Sequence, residues 1–334
     1  MKVAIVANRF DDVHGGIEYQ ALQLSGALQS LGHSVEIVEP HRVGASLRQG
    51  YDWVFFEGIQ RYPLLSYLVN RRRADRTRFC LAPHGSFFTR IHRRELSSFG
   101  YHSSPQDYLK GAFDRVLMGQ ILSSMNFIVA LSYAEAVDLH TLFRVPSELM
   151  QVVPHIIPEA EPATNDESLE ELTGRSPYFV TISRIDRRKN VIAAVRAASL
   201  AGARLFIVGQ DGGELRTVLR EISRAAPSGS RYLGILPEAT KSWLLARSMA
   251  LVIPSYFEGL PVVTLEARRL GTRVISTRLS YAPPMDEVYT CDPTPRGIAD
   301  QMKAIERLPS HPVPAVLPSK EEVATRYAEL FSNY

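Results

Sequence analysis

Short apolar runs separated by helical patterns recur along the whole chain, and this alternation leaves few folds open. In the first half the runs are Lys2–Ala7, Ser34–Val38, Trp53–Phe56, Arg78–Ala82 and Phe127–Leu131. In the second they are Tyr178–Ile182, Arg204–Val208, Arg231–Leu233, Ala250–Ile253 and Arg273–Ser276. Most are apolar continuously rather than at every second residue, so their strands are covered on both faces. Helical periodicity fills the gaps at Ile17–Leu31, Pro63–Arg73, Tyr108–Ser124 and Ser132–Phe143. It resumes at Val191–Leu200, Glu214–Ala225, Glu238–Ala246 and Pro261–Leu270. Helices between buried strands predict parallel sheets, an α/β fold. At 334 residues the chain exceeds what one core serves, so two Rossmann-like domains are expected, 1–158 and 174–315. Between them, residues 159–173 carry six acidic side chains and no basic one, the composition of a polar linker. Residues 316–334 end the chain in an amphipathic helical pattern. Ligands of such sheets bind beyond the C-terminal strand ends, so two sheets facing across a cleft would place the site there.

Composition narrows the setting. Hydrophobic residues at 45% and charged residues at 22% suit a globular protein. No run of eighteen apolar residues occurs, and Lys2–Ala7 enters a strand at once, so neither a signal peptide nor a membrane span is expected. The two cysteines, Cys80 and Cys291, fall one in each half, which predicts reduced thiols and a cytoplasmic protein. Net charge is only +3, yet nine arginines lie between Arg61 and Arg94 against Asp75 alone. Tyr62, Tyr67, Phe79, Phe87 and Phe88 are interleaved with them. Basic side chains beside aromatics suit an anionic membrane face or an acidic acceptor, and equally an ordinary solvated surface. Nothing resembles a groove-reading motif, so nucleic acid is not an expected partner.

Chemistry concentrates in the second half. Glu258 and Glu266 flank a strand–turn–helix junction in which Pro261 stands where the first helical residue belongs, and Gly271 marks the end. The helix N-terminus offers free amides and a positive dipole end, a place for phosphate. Eight residues at helical rise separate the two carboxylates by up to ~12 Å. Upstream, Arg184 and Lys189 follow one predicted strand and precede a helix. In the first half, Gly15-Gly16 closes the loop after the first strand, and adjacent glycines let a backbone approach a phosphate. A flexible turn would read the same way. His84 follows another strand in Pro83-His-Gly-Ser86, where a capped loop residue is the common alternative. The dinucleotide fingerprint Gly-x-Gly-x-x-Gly is absent after the first strand, which counts against an oxidoreductase. Neither an Asp-x-Asp motif nor a ligand-spaced His/Cys/Asp cluster is present, so no metal is expected.

Taken in order, these segments resemble the retaining glycosyltransferases of the GT-B fold, glycosyltransferase family 4 (glycosyl transferases group 1). Glu258-Gly-Leu-Pro-Val-Val-Thr-Leu-Glu266 is similar to that family's Glu-x7-Glu signature. Ile182-Ser-Arg-Ile-Asp-Arg-Arg-Lys-Asn190 resembles its Gly-Arg-Leu-x-x-x-Lys-Gly segment, with Arg184 and Lys189 at the matching spacing. Phe206-Ile-Val-Gly-Gln-Asp-Gly-Gly213 resembles its Val-Gly-x-Gly-Pro turn, and Tyr232-Leu-Gly-Ile-Leu236 the Leu-Gly strand that follows. The likeness covers nearly all of 175–276. In the first half only Gly15-Gly16, His84-Gly85 and Ser132-x-x-Glu135 recur in order.

The resemblance implies a metal-independent transfer of a hexose from a nucleotide-diphosphate sugar to a glycan or lipid-linked acceptor, with no further cofactor. It implies catalytic roles for Arg184, Lys189, Glu258 and His84. The two cations would hold the leaving diphosphate, Glu258 the transferred hexose, and His84 the donor sugar. Gly15, Gly16, Gly209, Ile235, Leu236, Gly259, Leu260, Val262 and Glu266 would bind the donor, Glu266 through the ribose. Front-face displacement, envelope polysaccharide or glycolipid synthesis, an inner-face peripheral location, and a last helix returning to the first domain are further implications. Two segments depart from the family pattern. Pro154-His-Ile-Ile157 stands where Asn-Gly is common, and Ser280-Tyr-Ala-Pro-Pro284 where Gly-Gly is common. A nucleotide-sugar epimerase of the same fold and a non-catalytic partner subunit are the alternatives.

Overall fold

The computed structural model describes residues 1–7, 16–42, 50–58, 76–84, 93–101, 117–157, 170, 171, 173, 174, 176–225, 229–280, 285–308 and 312–334. The chain divides into two compact units. One comprises Met1–Arg93, His102–Ile157 and Pro318–Tyr334, the other Arg94–Tyr101 and Pro158–Leu317.

The first unit is built on a six-stranded parallel sheet in the order β2-β1-β3-β4-β5-β6. Its strands are β1 (Lys2–Val6), β2 (Ser34–Val38), β3 (Trp53–Glu57), β4 (Arg78–Ala82), β5 (Phe127–Ala130) and β6 (Met150–Val152). Alternate residues feed two separate cores. Val3, Ile5, Trp53, Phe55 and Phe127 face α1 (Gly16–Ser30) and the C-terminal helix, whereas Ala4, Val6, Val54, Phe56 and Leu81 face Met118, Ile121, Leu139 and Phe143. Both faces are therefore dry, which is why the strands read as unbroken apolar runs. Leu139 and Phe143 belong to the helix Tyr133–Phe143, which Ser132 caps by accepting the Glu135 N–H.

The C-terminal helix, Lys320–Asn333, opens with a capping box between Ser319 and Glu322. It buries Val323, Ala324, Tyr327, Leu330 and Phe331, a stripe at helical spacing, in the core of the first unit. Trp53 Nε1 donates to the Phe331 carbonyl at 2.9 Å, and the Trp53 and Phe331 rings lie 5.2 Å apart.

The second unit repeats the plan in the order β12-β11-β10-β7-β8-β9. Its strands are β7 (Phe179–Ile182), β8 (Leu205–Val208), β9 (Arg231–Gly234), β10 (Ala250–Ile253), β11 (Arg273–Thr277) and β12 (Val288–Cys291). The helices Val191–Ala201 and Pro295–Ile305 cover one face, through Val191, Ala194, Ala198, Ile298 and Met302. Glu238–Ala246 and Val262–Arg269 cover the other, through Trp243, Leu244, Leu245 and Ala267. Arg94–Tyr101 joins this unit because Glu95 pairs with Arg278 at 2.5 Å and the Tyr101 ring lies 5.0 Å from Tyr256 and 5.4 Å from Phe257.

Several elements differ from the sequence expectation. Strands β6 and β12 carry no unbroken apolar run, since each is an edge strand and largely half-buried. The helix Pro295–Ile305 is additional. Its signals are present in the Thr294 cap and in Pro295, but Gly297 in the first turn obscures them. The helix after Glu258 begins at Val262, with Pro261 as its N-cap residue and Gly271 in the left-handed region behind it. The predicted helix Pro63–Arg73, the Asn8–Gly15 loop and most of the Arg61–Arg94 stretch lie outside the described residues.

Candidate active site

The motif residues of the second unit gather at the C-terminal edge of its sheet, because each sits on the turn that leaves a strand. Arg184 follows β7, Gly209 follows β8, Ile235 follows β9 and Glu258 follows β10. Gly209 makes the crowding there possible. At φ 141° an added Cβ would lie 1.9 Å from the Ser183 carbonyl oxygen, so no other residue fits without backbone movement. Gly212, in the same turn, packs on the Arg184 and Asp186 side chains, where a Cβ would lie 2.9 Å from both.

Asp186 shapes the basic turn. Its Oδ1 accepts the Lys189 N–H at 3.0 Å, capping the 3-10 turn Arg187–Lys189, and its Oδ2 meets Arg184 Nη2 at 2.6 Å. Asn190 closes the turn at φ 53°, a left-handed position where asparagine can replace the glycine of the resembling motif. Its amide donates to the Pro254 carbonyl at 3.0 Å and to the Pro293 carbonyl at 3.1 Å. The same residue thereby ties the basic turn to the loop that carries Glu258.

Glu258 is buried and fully partnered. Oε2 meets Arg188 Nη1 at 2.6 Å, while Oε1 pairs with Lys189 and accepts the Ser255 hydroxyl at 2.8 Å. Burial would raise its carboxyl, but Lys189 and Arg188 outweigh that and hold it below the usual carboxylate range. Glu266 sits one side of a second cluster, with Oε2 3.0 Å from Lys241 Nζ, and Lys241 also pairs with Glu238. Here burial wins, and the Glu266 carboxyl is raised despite Lys241. Gly259 and Val262 are half-buried, Leu260 and Leu236 line the same edge as buried and half-buried side chains, and Ile235 is 68% exposed. Arg184 keeps half of its side chain in solvent, against 18% for Lys189.

In the first unit the corresponding edge carries His84, after β4. Its Nε2 lies 3.1 Å from Glu57 Oε2 at the end of β3, and its ring stacks on His155 with centroids 5.2 Å apart and planes at 15°. Burial pulls the His84 imidazole down, and the Glu57 carboxylate more than offsets it, so His84 is held above its ordinary value. Burial beside His84 pushes His155 well below. His84 adopts φ 57°, a conformation that a non-glycine residue keeps only when its surroundings impose it. Gly16 opens α1, and among the described residues an added Cβ would meet nothing within 4 Å. Gly15 lies outside the described residues.

Sequence reading passed over Arg188, Ser255, Asp186, Lys241 and Glu57 as participants. Asp186 alone carried a readable signal, a capping residue three before Lys189. The others are recruited from neighbouring strand ends and leave no local pattern. Among the described residues no group of three or more His, Cys, Asp or Glu side chains could hold a metal ion.

Residues 164–288 match the Glycosyl transferases group 1 family. This span falls within the second unit and contains Arg184, Lys189, Gly209, Glu258 and Glu266. Over 110 residues the chain is 31% identical to the glycogen synthase of Thermus thermophilus, a stretch that is 32% of this chain and 25% of that relative. The chain thus spans about a quarter of that relative's length. Over 226 residues it is 24% identical to the O-antigen chain mannosyltransferase B of Escherichia coli, covering 60% of this chain and 58% of the relative. The sucrose-phosphate synthase of Thermosynechococcus elongatus superposes with a TM-score of 0.77 at 15% identity, over 99% of this chain and 98% of the other. Anabaena HepE, in complex with UDP-glucose, superposes at 0.67 and 15% identity over 100% of both chains. These likenesses establish the fold as GT-B.

Proposed function

We propose that this chain is a retaining glycosyltransferase of family 4. It moves a hexose from a nucleotide-diphosphate sugar to a glycan or lipid-linked acceptor in envelope polysaccharide or glycolipid synthesis. The observation that carries the reading is the cluster of Arg184, Lys189 and Glu258 at the C-terminal edge of the second sheet, inside the span that matches the family. Glu258 faces two cations, Arg188 and Lys189, so the cluster keeps one positive charge in excess, as a site for a diphosphate needs. Fixed cations beside a leaving group act where charge develops, which is the main lever of electrostatic catalysis. In this scheme a donor phosphate oxygen accepts the acceptor's proton while the C–O bond to the diphosphate breaks and the new bond forms on the same face. Arg184 and Lys189 neutralise the leaving group, Glu258 places the hexose, and Glu266 holds the ribose hydroxyls. In the first unit, His84 and Gly16 are the groups this scheme gives to the donor. No metal is required in this scheme, because protein cations and the Val262 helix N-terminus supply the positive charge.

The UDP-glucose bound by HepE and the O-antigen chain mannosyltransferase relative support a nucleotide-sugar donor and a glycan acceptor. A thermal-shift panel of UDP-, ADP- and GDP-sugars tests the donor, since a ligand that binds the native state raises its apparent stability. Product analysis with and without acceptor then separates transfer from epimerisation. A panel without any shift, together with no donor turnover, would overturn the reading.

A further inference from the structure

The two cations on Glu258 are not equivalent. Arg188 is fixed at several points. Its Nη1 donates to Glu258 Oε2 at 2.6 Å and to the Phe257 carbonyl at 3.2 Å, and its guanidinium lies 5.7 Å from the Phe257 ring centroid. Its own carbonyl accepts the Tyr256 N–H at 2.9 Å, so backbone and side chain both clamp the 256–258 loop. Lys189 sits at the end of a flexible four-carbon stem, and among the described residues its ammonium pairs with Glu258 Oε1. That oxygen also accepts the Ser255 hydroxyl at 2.8 Å, a donor independent of the lysine, and Ser255 is held in turn by Thr277, whose hydroxyl donates to the Ser255 carbonyl at 2.5 Å.

The geometry points to Arg188 as the resident counter-ion and positioning residue of Glu258, with Lys189 the cation that is released to an incoming diphosphate. The inference rests on the proposed donor site and adds a division of labour to it. Without Arg188, the departure of Lys189 would leave a buried carboxylate with no charge partner, and a carboxylate in that state takes up a proton or moves. With Arg188 in place, Glu258 stays ionised and oriented throughout. Electrostatics agree: Glu258 more than offsets the effect of burial on Arg188 and raises it, whereas burial dominates at Lys189 and lowers it.

The test is a pair of double-mutant cycles on the full chain, Arg188→Gln with Glu258→Gln and Lys189→Gln with Glu258→Gln, read by urea unfolding at pH 7 and pH 3.5. Coupling between 188 and 258 is expected to be about tenfold in the unfolding equilibrium at pH 7, larger than that between 189 and 258, and to be smaller at pH 3.5. Equal couplings, or a larger one at 189, would overturn the inference whether or not the protein transfers sugar. With the nucleoside diphosphate that gives the largest thermal shift among UDP, ADP and GDP, Lys189→Gln should lose at least about tenfold in affinity and Arg188→Gln less than about twofold. In turnover, Arg188→Gln should lower kcat with donor KM nearly unchanged and move the acid limb of kcat to higher pH, with partial rescue by Arg188→Lys. A fall in nucleotide affinity as large for Arg188→Gln as for Lys189→Gln would make Arg188 a ligand contact and end the proposal.

Discussion

Single side chains set the charge at the strand ends of the second unit, and they do so by pairing. Arg184 is half exposed and held by Asp186, while Lys189 is mostly buried against Glu258. Replacing Arg184 or Lys189 by alanine should therefore cut donor turnover by roughly 10²–10³-fold, in line with the loss of one donor facing developing charge. Urea unfolding should register little change for the exposed Arg184, and steady-state kinetics on the best donor checks the rate. Near-parent activity in both variants would remove them from the site. Glu266 makes a different prediction. Glu266→Gln should weaken nucleotide binding more than it slows turnover at saturation, as calorimetry with the nucleoside diphosphate would show. Glu258 brings pH into stability. Its folded value is held below the ordinary 4.5, so the stabilisation it gives is present above that value and is lost as pH falls below about 4.5 through the depressed value. Glu258→Gln should flatten that acid limb in a plot of melting temperature against pH.

Turns rather than helices set the precision of the elements. Gly209 lets the exit of β8 press against the exit of β7, with a Cβ position only 1.9 Å from the Ser183 carbonyl. Gly209→Ala should cost about 1–3 kcal/mol or more from backbone strain and displace the Arg184 turn, so that stability and activity fall together. Gly16→Ala offers the contrast. Among the described residues its Cβ would meet nothing within 4 Å at a helix start, so folding should match the parent, and any loss would appear in donor affinity alone. Equilibrium unfolding of the two variants side by side separates these cases. Asn190 belongs to the same scale, since one amide bonded to Pro254 and Pro293 fixes the basic turn to two other strand ends.

For the whole molecule, the last helix is part of the first unit's core although the second unit lies between them in sequence. Phe331→Ala should cost about 3–5 kcal/mol, the usual range for a buried aromatic, and lower the melting temperature by several degrees. If the first unit's unfolding did not move, the helix would not be holding it. We expect the Arg61–Arg94 stretch to attach the protein to anionic lipid, each basic residue contributing about 1 kcal/mol near the surface. Co-sedimentation with anionic and neutral liposomes at two salt concentrations checks it, and equal, negligible binding to both removes the membrane location. No helix among the described residues is long and apolar enough to cross a membrane.

Most strands and most helices could be read from the chain because burial on both faces writes itself as continuous apolar sequence, as in Trp53–Phe56 and Ala250–Ile253. The edge strands Met150–Val152 and Val288–Cys291 escaped that reading, since a half-exposed edge leaves no such run. Arg184, Lys189, Glu258 and Glu266 could be singled out as candidates because each belongs to a local motif of fixed spacing. Their partners could not. Arg188 meeting Glu258, Lys241 meeting Glu266 and His155 stacking on His84 join residues 70, 25 and 71 positions apart. Sequence spacing records periodicity along one element, whereas the protonation and placement of a buried charge depend on which strand ends the sheet brings side by side. That second property belongs to the tertiary structure alone, and it is what brings Arg188 and Lys189 together onto the buried Glu258 carboxylate.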